Sequence, residues 1–488
     1  MDSSAVAKNT TPWLIQGGMG IAISGWPLAR AVARTGQLGV VSGTAIDTVF
    51  VRRLQDFGVD RSLQAVLDRF PLQAIVQEVL ERFAATRRRI GAPYKTIPML
   101  THRNTKSSQD LLVLASYVEV ALAKDGHDGE VGMNLLTKVQ LPTLPTLFGA
   151  MLAGVNYVLM GAGVPTNIPG ILDRLSQGQD AQLPLTVIGA ASSDATPVMR
   201  FDPARFLGDR VLRRPKFLGI VSGHVLANAL AKRSSGPVDG FVVERPSAGG
   251  HNAPPRGTFN IDEKGNPEYG PRDVVDYQAM RDLEVPFWIG GAVTAPEHVQ
   301  QAFDEGAAGV QVGTLFAYCD ESGMDPQLRA HIIKETLGGE VEVLTSLRAS
   351  STGYPFKVVV EEGTISDPVV YAQRERKCDL GYLREAYQRA DGSVGYRCAA
   401  EPVTAFVRKG GDPDATEGST CLCNGLMSTC GLGQIRSDGR QEPPIVTSGD
   451  SLNDIRRLAM EHGHYSAADV VSYLTPSLLS HDAVTSTP

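Results

Sequence analysis

The feature that most constrains the fold is a repeated alternation of short apolar runs with longer helix-like stretches. Eight runs rich in Val, Ile, Leu and Phe each precede a glycine-containing turn, as parallel strands joined by helices do. The predicted strands are residues 12–16, 38–42, 130–136, 157–162, 217–222, 240–244, 287–291 and 309–313. Eight such units predict an α/β protein with a (β/α)8 TIM barrel, whose functional groups gather at the carboxyl ends of the strands.

Two segments compete for the fifth strand, residues 183–190 and 217–222, and the pattern leaves that choice open. Residues 46–128 separate the second and third strands and contain an arginine-rich, helix-like stretch, LQAIVQEVLERFAATRRR. They predict a helical insertion that forms a lid or subdomain. The alternation stops near residue 350, which predicts a barrel domain over residues 1–350 and a cysteine-containing C-terminal extension over residues 351–488.

Composition favours small-molecule chemistry. With 488 residues, 42% hydrophobic and 20% charged, the chain can bury at least one large core. Its formal net charge of -7, without a long run of Lys or Arg, gives no electrostatic reason to expect nucleic acid or an anionic membrane surface as a partner. We find neither a signal-like N-terminus nor an apolar run of the ~20 residues that a membrane helix needs, so a cytoplasmic protein is expected.

Glycine pairs end the last two predicted strands. Gly290-Gly291 ends the seventh, and Gly313-Thr314 ends the eighth, about one strand-helix unit later. Loops at these two positions of a barrel commonly bind phosphate, because glycine lets backbone N–H groups approach an anion. Tight packing explains a single glycine pair equally well, but two pairs with a donating Thr314 hydroxyl favour a phosphate site.

A further glycine pair at the end of the sixth strand is followed at once by a histidine, in the run Ala248-Gly249-Gly250-His251. Histidine is the side chain whose ordinary pKa suits proton transfer near neutral pH. A loop histidine that only binds a neighbouring carbonyl is the alternative. The surrounding glycines favour His251 as the catalytic residue.

Three more strand ends carry residues suited to contact with a planar ring, where an isoalloxazine could lie flat. Asn134 ends the third strand and offers both a donor and an acceptor, and Gly161 ends the fourth. The first strand ends in Gln16, Gly17, Gly18 and Met19. A glycine-rich turn or a capping asparagine would look the same in sequence.

Together, the motifs IQGGMG, GMNLL, SAGGH, IGGAV and GVQVGTLF resemble the nitronate monooxygenase family, formerly 2-nitropropane dioxygenases, and the related FMN-containing enoyl reductases. The resemblance runs over about residues 12–357. It implies FMN bound without a covalent link and the histidine matching His251 beside the reactive face of the flavin. It also implies a phosphate held by Gly249, Gly250, Gly290, Gly291, Gly313 and Thr314.

One departure bears on substrate: the family usually has glutamate immediately before Ala-Gly-Gly-His, and this chain has Ser247, with Glu244 nearby in another register. The insertion and extension are similar to those of the larger enoyl reductases that serve polyketide and polyunsaturated fatty acid synthases. The resemblance therefore implies nitronate or nitroalkane oxidation with O₂, or alternatively NAD(P)H-dependent reduction of an enoyl thioester, with an acyl carrier protein or synthase as partner. A barrel whose site has decayed into a binding scaffold is a third hypothesis.

Cysteines concentrate in the extension. Cys398, Cys421, Cys423 and Cys430 are numerous enough to ligate zinc or an iron–sulfur cluster, and Cys378 is a fifth candidate. Their spacing matches none of the usual paired metal-binding patterns, so buried or redox-active thiols without a metal are favoured. Residues 421–426 could instead fold back over the flavin edge.

Overall fold

The computed structural model describes residues 11–190, 196–208 and 210–476 of the chain. The strands are β1 (Leu14–Gln16), β2 (Gly39–Ser42), β3 (Val131–Leu136), β4 (Tyr157–Gly161), β5 (Ala181–Pro184), β6 (Val187–Ile188), β7 (Val198–Phe201), β8 (Lys216–Val221), β9 (Gly240–Glu244), β10 (Phe287–Gly290), β11 (Gly309–Val312), β12 (Val343–Ser346), β13 (Phe356–Val359), β14 (Glu385–Gln388) and β15 (Val394–Arg397).

The helices are α1 (Trp26–Arg34), α2 (Ile46–Phe57), α3 (Arg61–Asp68), α4 (Gln73–Phe83), α5 (Lys106–Lys124), α6 (Thr143–Leu152), α7 (Ile168–Ser176), α8 (Ala204–Leu207), α9 (His224–Arg233), α10 (Tyr277–Arg281), α11 (Pro296–Asp304), α12 (Thr314–Ala317), α13 (Pro326–Gly338), α14 (Pro368–Gln373), α15 (Val403–Arg408), α16 (Leu422–Thr429), α17 (Arg456–Ala459) and α18 (Ala467–Leu474). In the described part of the chain, none of them combines the length and apolar composition that a membrane crossing requires.

Eight strands form one parallel sheet in the order β1-β11-β10-β9-β8-β4-β3-β2. The two ends of this sheet meet through a parallel bridge between Ile15 and Leu38, where the Leu38 amide donates to the Leu14 carbonyl at 3.1 Å. The sheet thus curls into a barrel with helices outside. The predicted (β/α)8 class is confirmed, with a helical insertion after β2 and a C-terminal extension.

The structure also resolves which segment supplies the fifth barrel strand. It is β8, which covers the predicted run 217–222 except its last residue and pairs with β4 and β9. Residues 183–190 lie outside the barrel, in β5 and β6, and β5 alternates buried and exposed residues. That alternation is typical of a surface ladder, whereas a barrel strand is buried on both faces.

Large side chains fill the barrel interior and leave space only at one end. An interior cluster consists of Ile15, Leu38, Val40, Tyr157, Leu159, Leu218, Val242 and Trp288, each at most 1% exposed. Because alternate strand residues share a face, the next inward positions on three strands are Gly17, Gly161 and Gly290. Gly17 and Gly161 line a pocket at the carboxyl ends of the strands, and the Ile220 side chain packs against Gly161, where a Cβ would lie 2.7 Å from the Ile220 Cβ.

The insertion after β2 is helical. Its last helix, α5, is largely buried and packs against α1 and α6, so it lies in the outer helical layer of the barrel. The Thr105 side chain caps α5 by accepting the Ser108 amide at 3.2 Å, and the Asp60 side chain caps α3 in the same way.

Residues after the last barrel strand fold back over the barrel. The antiparallel hairpin of β12 and β13 spans the position near residue 350, and α18 packs against α1, α11 and α12. Val446 and Leu474 belong to the same hydrophobic cluster as the barrel strands, so the core runs from the barrel into the extension without a break. This packing brings the extension to the open end of the barrel.

Candidate active site

One pocket at the carboxyl ends of the strands gathers most of the residues singled out in the sequence. Twelve of them line it: Gly17, Gly18, Met19, Asn134, Gly161, Ala248, Gly249, Gly250, His251, Gly291, Gly313 and Thr314. These residues come from six different strand ends. The topology of the barrel, rather than proximity in sequence, is what brings them together.

Two predicted contact residues lie behind the pocket wall. Gln16 is completely buried; its amide donates to Ser24 Oγ at 2.7 Å and its carbonyl accepts the Val40 amide at 2.9 Å. Gln16 therefore fixes the turn formed by residues 17–19, which lines the pocket. Gly290 lies between Glu244 and Gln311 in register, and those two side chains are joined by a hydrogen bond.

His251 is held firmly on the pocket rim. Its Nε2 lies 2.7 Å from Ser350 Oγ, and its ring packs edge-on against Phe356 with a centroid distance of 4.8 Å. Burial, and secondarily the nearby Lys138 charge, lower the His251 pKa to about 3. The imidazole is therefore neutral at physiological pH, and its Nδ1 makes no hydrogen bond to the described residues.

A second titratable group, Glu244, lines the same pocket. It receives a hydrogen bond from Gln311 Nε2 at 3.2 Å, and burial raises its pKa to about 7. The opposite shifts of His251 and Glu244 share a cause, because burial disfavours the charged form of each. Strongly perturbed titratable groups in a concave pocket are typical of active sites.

At the end of the pocket where a phosphate was predicted, backbone turns meet a loop of the extension. Gly291 has a φ of +97°, and a Cβ added there would lie 2.9 Å from Ser247 Oγ. Thr314 Oγ1 accepts the Gly449 amide at 3.0 Å, so the extension is bonded to the start of α12. A Cβ at Gly313 would meet only Met19 Sδ, at 3.7 Å, which shows that this glycine leaves the pocket open.

The glycine pair Gly249-Gly250 packs against a loop of the extension. The Gly250 amide donates to Thr447 Oγ1 at 2.9 Å, and a Cβ at Gly249 would lie 2.8 Å from the Ser448 carbonyl carbon. These two glycines allow the sixth-strand loop to pack closely against residues 447–449. The Gly250 amide is consequently already engaged and is not a free donor to a phosphate.

The pocket presents buried acceptor oxygens that a ligand with hydrogen-bond donors would satisfy. Asn134 donates to the Gly18 carbonyl at 2.9 Å, while its buried Oδ1 has no partner. The buried Oε1 of Gln311 is likewise unpartnered. Such orphaned acceptors are costly unless a ligand donates to them. Among the described residues no lysine or arginine lines this pocket.

The extension supplies one wall of the pocket. Leu422, Cys423 and Leu426 of the segment 421–426 line it, as does Tyr382, whose hydroxyl donates to Asp47 Oδ1 at 2.5 Å. Residues 421–426 therefore fold back over the pocket, where the sequence analysis had placed the flavin edge as one alternative. Four residues of the loop at 447–451, Thr447, Ser448, Gly449 and Ser451, also line the pocket and were not predicted from the sequence.

The extension's cysteines are protonated thiols. Burial is the main reason that the pKa values of Cys378, Cys421 and Cys430 are raised, to about 12, 11 and 11 respectively. Cys398 and Cys423 are buried, and the neighbouring thiols Cys421, Cys398 and Cys378 further raise the pKa of Cys423. Across the described residues, no group of three or more His, Cys, Asp or Glu side chains is arranged to hold a metal ion.

Part of the barrel matches the sequence model of a known protein family. Residues 211–365, about a third of the chain, match the model of the nitronate monooxygenase family. The matched segment includes β8, β9, β10 and β11 with His251 and the glycine turns at Gly290-Gly291 and Gly313-Thr314. The resemblance to this family drawn from the sequence motifs is confirmed, and the family is one of oxidoreductases.

Solved structures of similar fold are distant in sequence. FabK from Thermotoga maritima is 14% identical with a TM-score of 0.48, covering 97% of this chain and 94% of its own. A nitroalkane oxidase from Streptomyces ansochromogenes is 14% identical with a TM-score of 0.44, covering 98% of each chain. The enoyl reductase domain of MlnA from the macrolactin biosynthesis cluster of Bacillus amyloliquefaciens is 12% identical with a TM-score of 0.44, covering 97% of each. Such likenesses assign no activity to this chain, and no curated protein matches it.

Proposed function

We propose that this chain, whose residues 211–365 carry the nitronate monooxygenase family match, is an FMN-dependent oxidoreductase that oxidises a nitronate or nitroalkane with O₂. FMN would lie with its ring over Gly17, Gly18 and Met19 and against Asn134. Its phosphate would face Gly291, Gly313, Thr314 and the loop at 447–449. When bound, the flavin supplies the electron transfer from substrate to O₂, which no protein side chain here provides.

The observation that carries this proposal is a neutral imidazole on the pocket rim, held from one side only. Ser350 engages His251 Nε2 and leaves Nδ1 without a partner in the described residues. Because burial keeps the ring uncharged, Nδ1 can accept the acidic α-proton of a nitroalkane. For a nitronate, which has already lost that proton, the tautomer with its proton on Nδ1 donates a hydrogen bond to the anionic substrate while Nε2 accepts from Ser350 Oγ.

The rest of the pocket wall excludes water from the reacting atoms. Leu422, Leu426 and Val446 of the extension and Ile23 of the barrel present apolar surface to it. A dry pocket strengthens each hydrogen bond to a charge that develops on the substrate. Glu244, with its pKa near 7, adds a carboxyl that stays partly protonated at neutral pH and can therefore donate as well as accept.

A second cavity favours a second candidate function. This cavity of about 820 Å³ adjoins the pocket at Ala162, Tyr382 and Leu383, and its mixed lining includes the apolar side chains of Val164 and Ile188. Its size suits a substrate with a longer chain than a small nitroalkane. The alternative is therefore reduction of an enoyl thioester by NAD(P)H, with an acyl carrier protein presenting the substrate.

The first experiment is a visible spectrum of the purified protein, with and without added FMN. Bands near ~370 and ~450 nm are expected from bound flavin. A protein that stays colourless after reconstitution would support a binding scaffold and contradict both enzyme proposals.

Anaerobic mixing then separates the two activities. Propyl-2-nitronate should bleach the flavin within the turnover time if the first proposal holds, and air should restore the colour. Bleaching by NADPH alone, followed by reoxidation with crotonyl-CoA, would instead establish the reductase. The variant His462→Ala, at an exposed histidine, serves as the control for His251→Ala in both assays.

A further inference from the structure

A continuous line of hydrogen bonds leads from His251 to residues that are not part of the candidate pocket's lining. His251 Nε2 lies 2.7 Å from Ser350 Oγ, and Ser350 Oγ lies 2.7 Å from Thr352 Oγ1. Lys138 Nζ donates to the same Thr352 Oγ1 at 3.2 Å. Two hydroxyl groups, each able to donate and accept, therefore connect the imidazole to an ammonium group.

Lys138 lies at the boundary between protein and the second cavity. It follows β3 directly and, together with Thr352 and Tyr354, lines that cavity. Its ammonium nitrogen lies 3.5 Å from the centre of the Tyr354 ring, and among the described residues no carboxylate pairs with it. A lysine held this way is in contact with solvent in the second cavity at one end and with the hydroxyl chain at the other.

The electrostatic setting of Lys138 makes both of its protonation states accessible. Burial lowers its pKa to about 7. The titratable and charged groups that face it or line the same cavity are His251, Tyr354, Tyr382, Arg384, Glu385 and Tyr396. A proton carrier works best when its pKa lies near the working pH, which an ordinary lysine does not satisfy.

We propose that Lys138, Thr352 and Ser350 form a proton relay that exchanges protons between His251 and the solvent of the second cavity. The inference rests on the proposed function, in which His251 takes the α-proton of the substrate. Lys138 and Thr352 are positioning and relay residues rather than groups that touch the substrate.

The steps conserve protons without any further reactant. The substrate C–H bond breaks, its proton forms an N–H bond at His251 Nδ1, and the electron pair stays on the substrate as a nitronate. His251 Nε2 then releases its proton to Ser350 Oγ, whose own proton moves to Thr352 Oγ1. The proton of Thr352 moves to the neutral amine of Lys138, which loses it to water in the cavity. Protonation of a substrate would use the same chain in the reverse direction.

Three variants separate a relay from a simple structural or electrostatic role. Lys138→Met removes the carrier, whereas Lys138→Arg keeps a positive charge that cannot be released, because guanidinium stays protonated. Thr352→Val retains Lys138 but removes the bridging hydroxyl. The matched control is Lys264→Met, at an exposed lysine paired with Glu342.

The first measurement uses the flavin-free protein and does not depend on the proposed function. Exchange of the His251 ring N–H proton with water, followed by NMR of ¹⁵N-histidine-labelled protein, should slow about tenfold or more in Lys138→Met and Thr352→Val. Lys264→Met should exchange like the wild type. Equal exchange rates in all four proteins would overturn the relay, whatever the enzyme's reaction proves to be.

The second measurement compares 2-nitropropane with propyl-2-nitronate, which lacks the α-proton. All three relay variants should lose about 10²-fold in kcat with 2-nitropropane, the lower end of what acid–base groups contribute. They should stay within about twofold of the wild type with the nitronate. Normal turnover by the Lys138→Arg variant, or an equal loss with both substrates, would contradict the relay. If the wild type oxidises neither compound, the proposed function fails, and the exchange measurement still decides the relay.

Discussion

Replacing Glu244 with glutamine should stabilise the flavin-free protein, and the gain should grow with pH. Glu244 lines the pocket with Gln311 as its hydrogen-bond donor, and it forms no ion pair with the described residues. Burial raises its pKa from the ordinary value of 4.5 to about 7. A glutamine amide oxygen can accept the same hydrogen bond and carries no charge at any pH.

The sign of this pH dependence follows from the number of protons that Glu244 binds in the folded and in the unfolded protein. Between pH 4.5 and 7 the folded protein keeps the Glu244 proton while the unfolded chain loses it, so the wild-type free energy of unfolding falls as pH rises through this window. Above pH 7 the loss is complete. Glu244→Gln removes this loss, and the expected gain is under ~1 kcal/mol at pH 5 and about 3 kcal/mol at pH 8, using 1.36 kcal/mol per pKa unit.

Urea unfolding of the apoprotein at pH 5 and pH 8 measures the effect. Glu263→Gln, at an exposed position, is the control and should change the unfolding free energy little at either pH. If Glu244→Gln raises the unfolding free energy equally at both pH values, Glu244 is not a buried carboxylate without a cationic partner, and the reasoning is refuted. A loss at pH 8 would show that the ionised form has a partner.

Three other experiments test the site and the extension. His251→Ala should leave flavin absorbance largely intact while kcat falls by ~10²–10⁴; unchanged turnover would make His251 only a loop residue. Gly291→Ala places a Cβ 2.9 Å from Ser247 Oγ at a φ of +97° and should lower FMN occupancy, measured by fluorescence of released flavin. Gly290→Ala, whose nearest contacts would be 3.6 Å, should retain FMN. A greater loss of FMN from Gly290→Ala than from Gly291→Ala would contradict the proposed contact of Gly291 with the phosphate. Iodoacetamide at pH 8 should leave Cys421 unmodified in the native protein, since burial raises its pKa to about 11, and rapid labelling there would contradict its protonated state.

Sequence alone determined the barrel and the positions of its loops. A β-branched run with a glycine turn is a local pattern, because strand burial and turn geometry depend on residues that are close in the chain. The motifs around Gly17, His251, Gly291 and Gly313 fall at strand ends for the same reason, and parallel strands place all such ends on one face.

Only tertiary structure decided which side chains act together. The contact of Thr447 with Gly250 joins positions 197 residues apart, and that of Ser350 with His251 joins positions 99 residues apart. Competition between residues 183–190 and 217–222 for the barrel was settled by which run could be buried on both faces. The pKa values of Lys138 and His251 depend on burial by elements from the barrel and the extension, and no pattern along the chain encodes that packing.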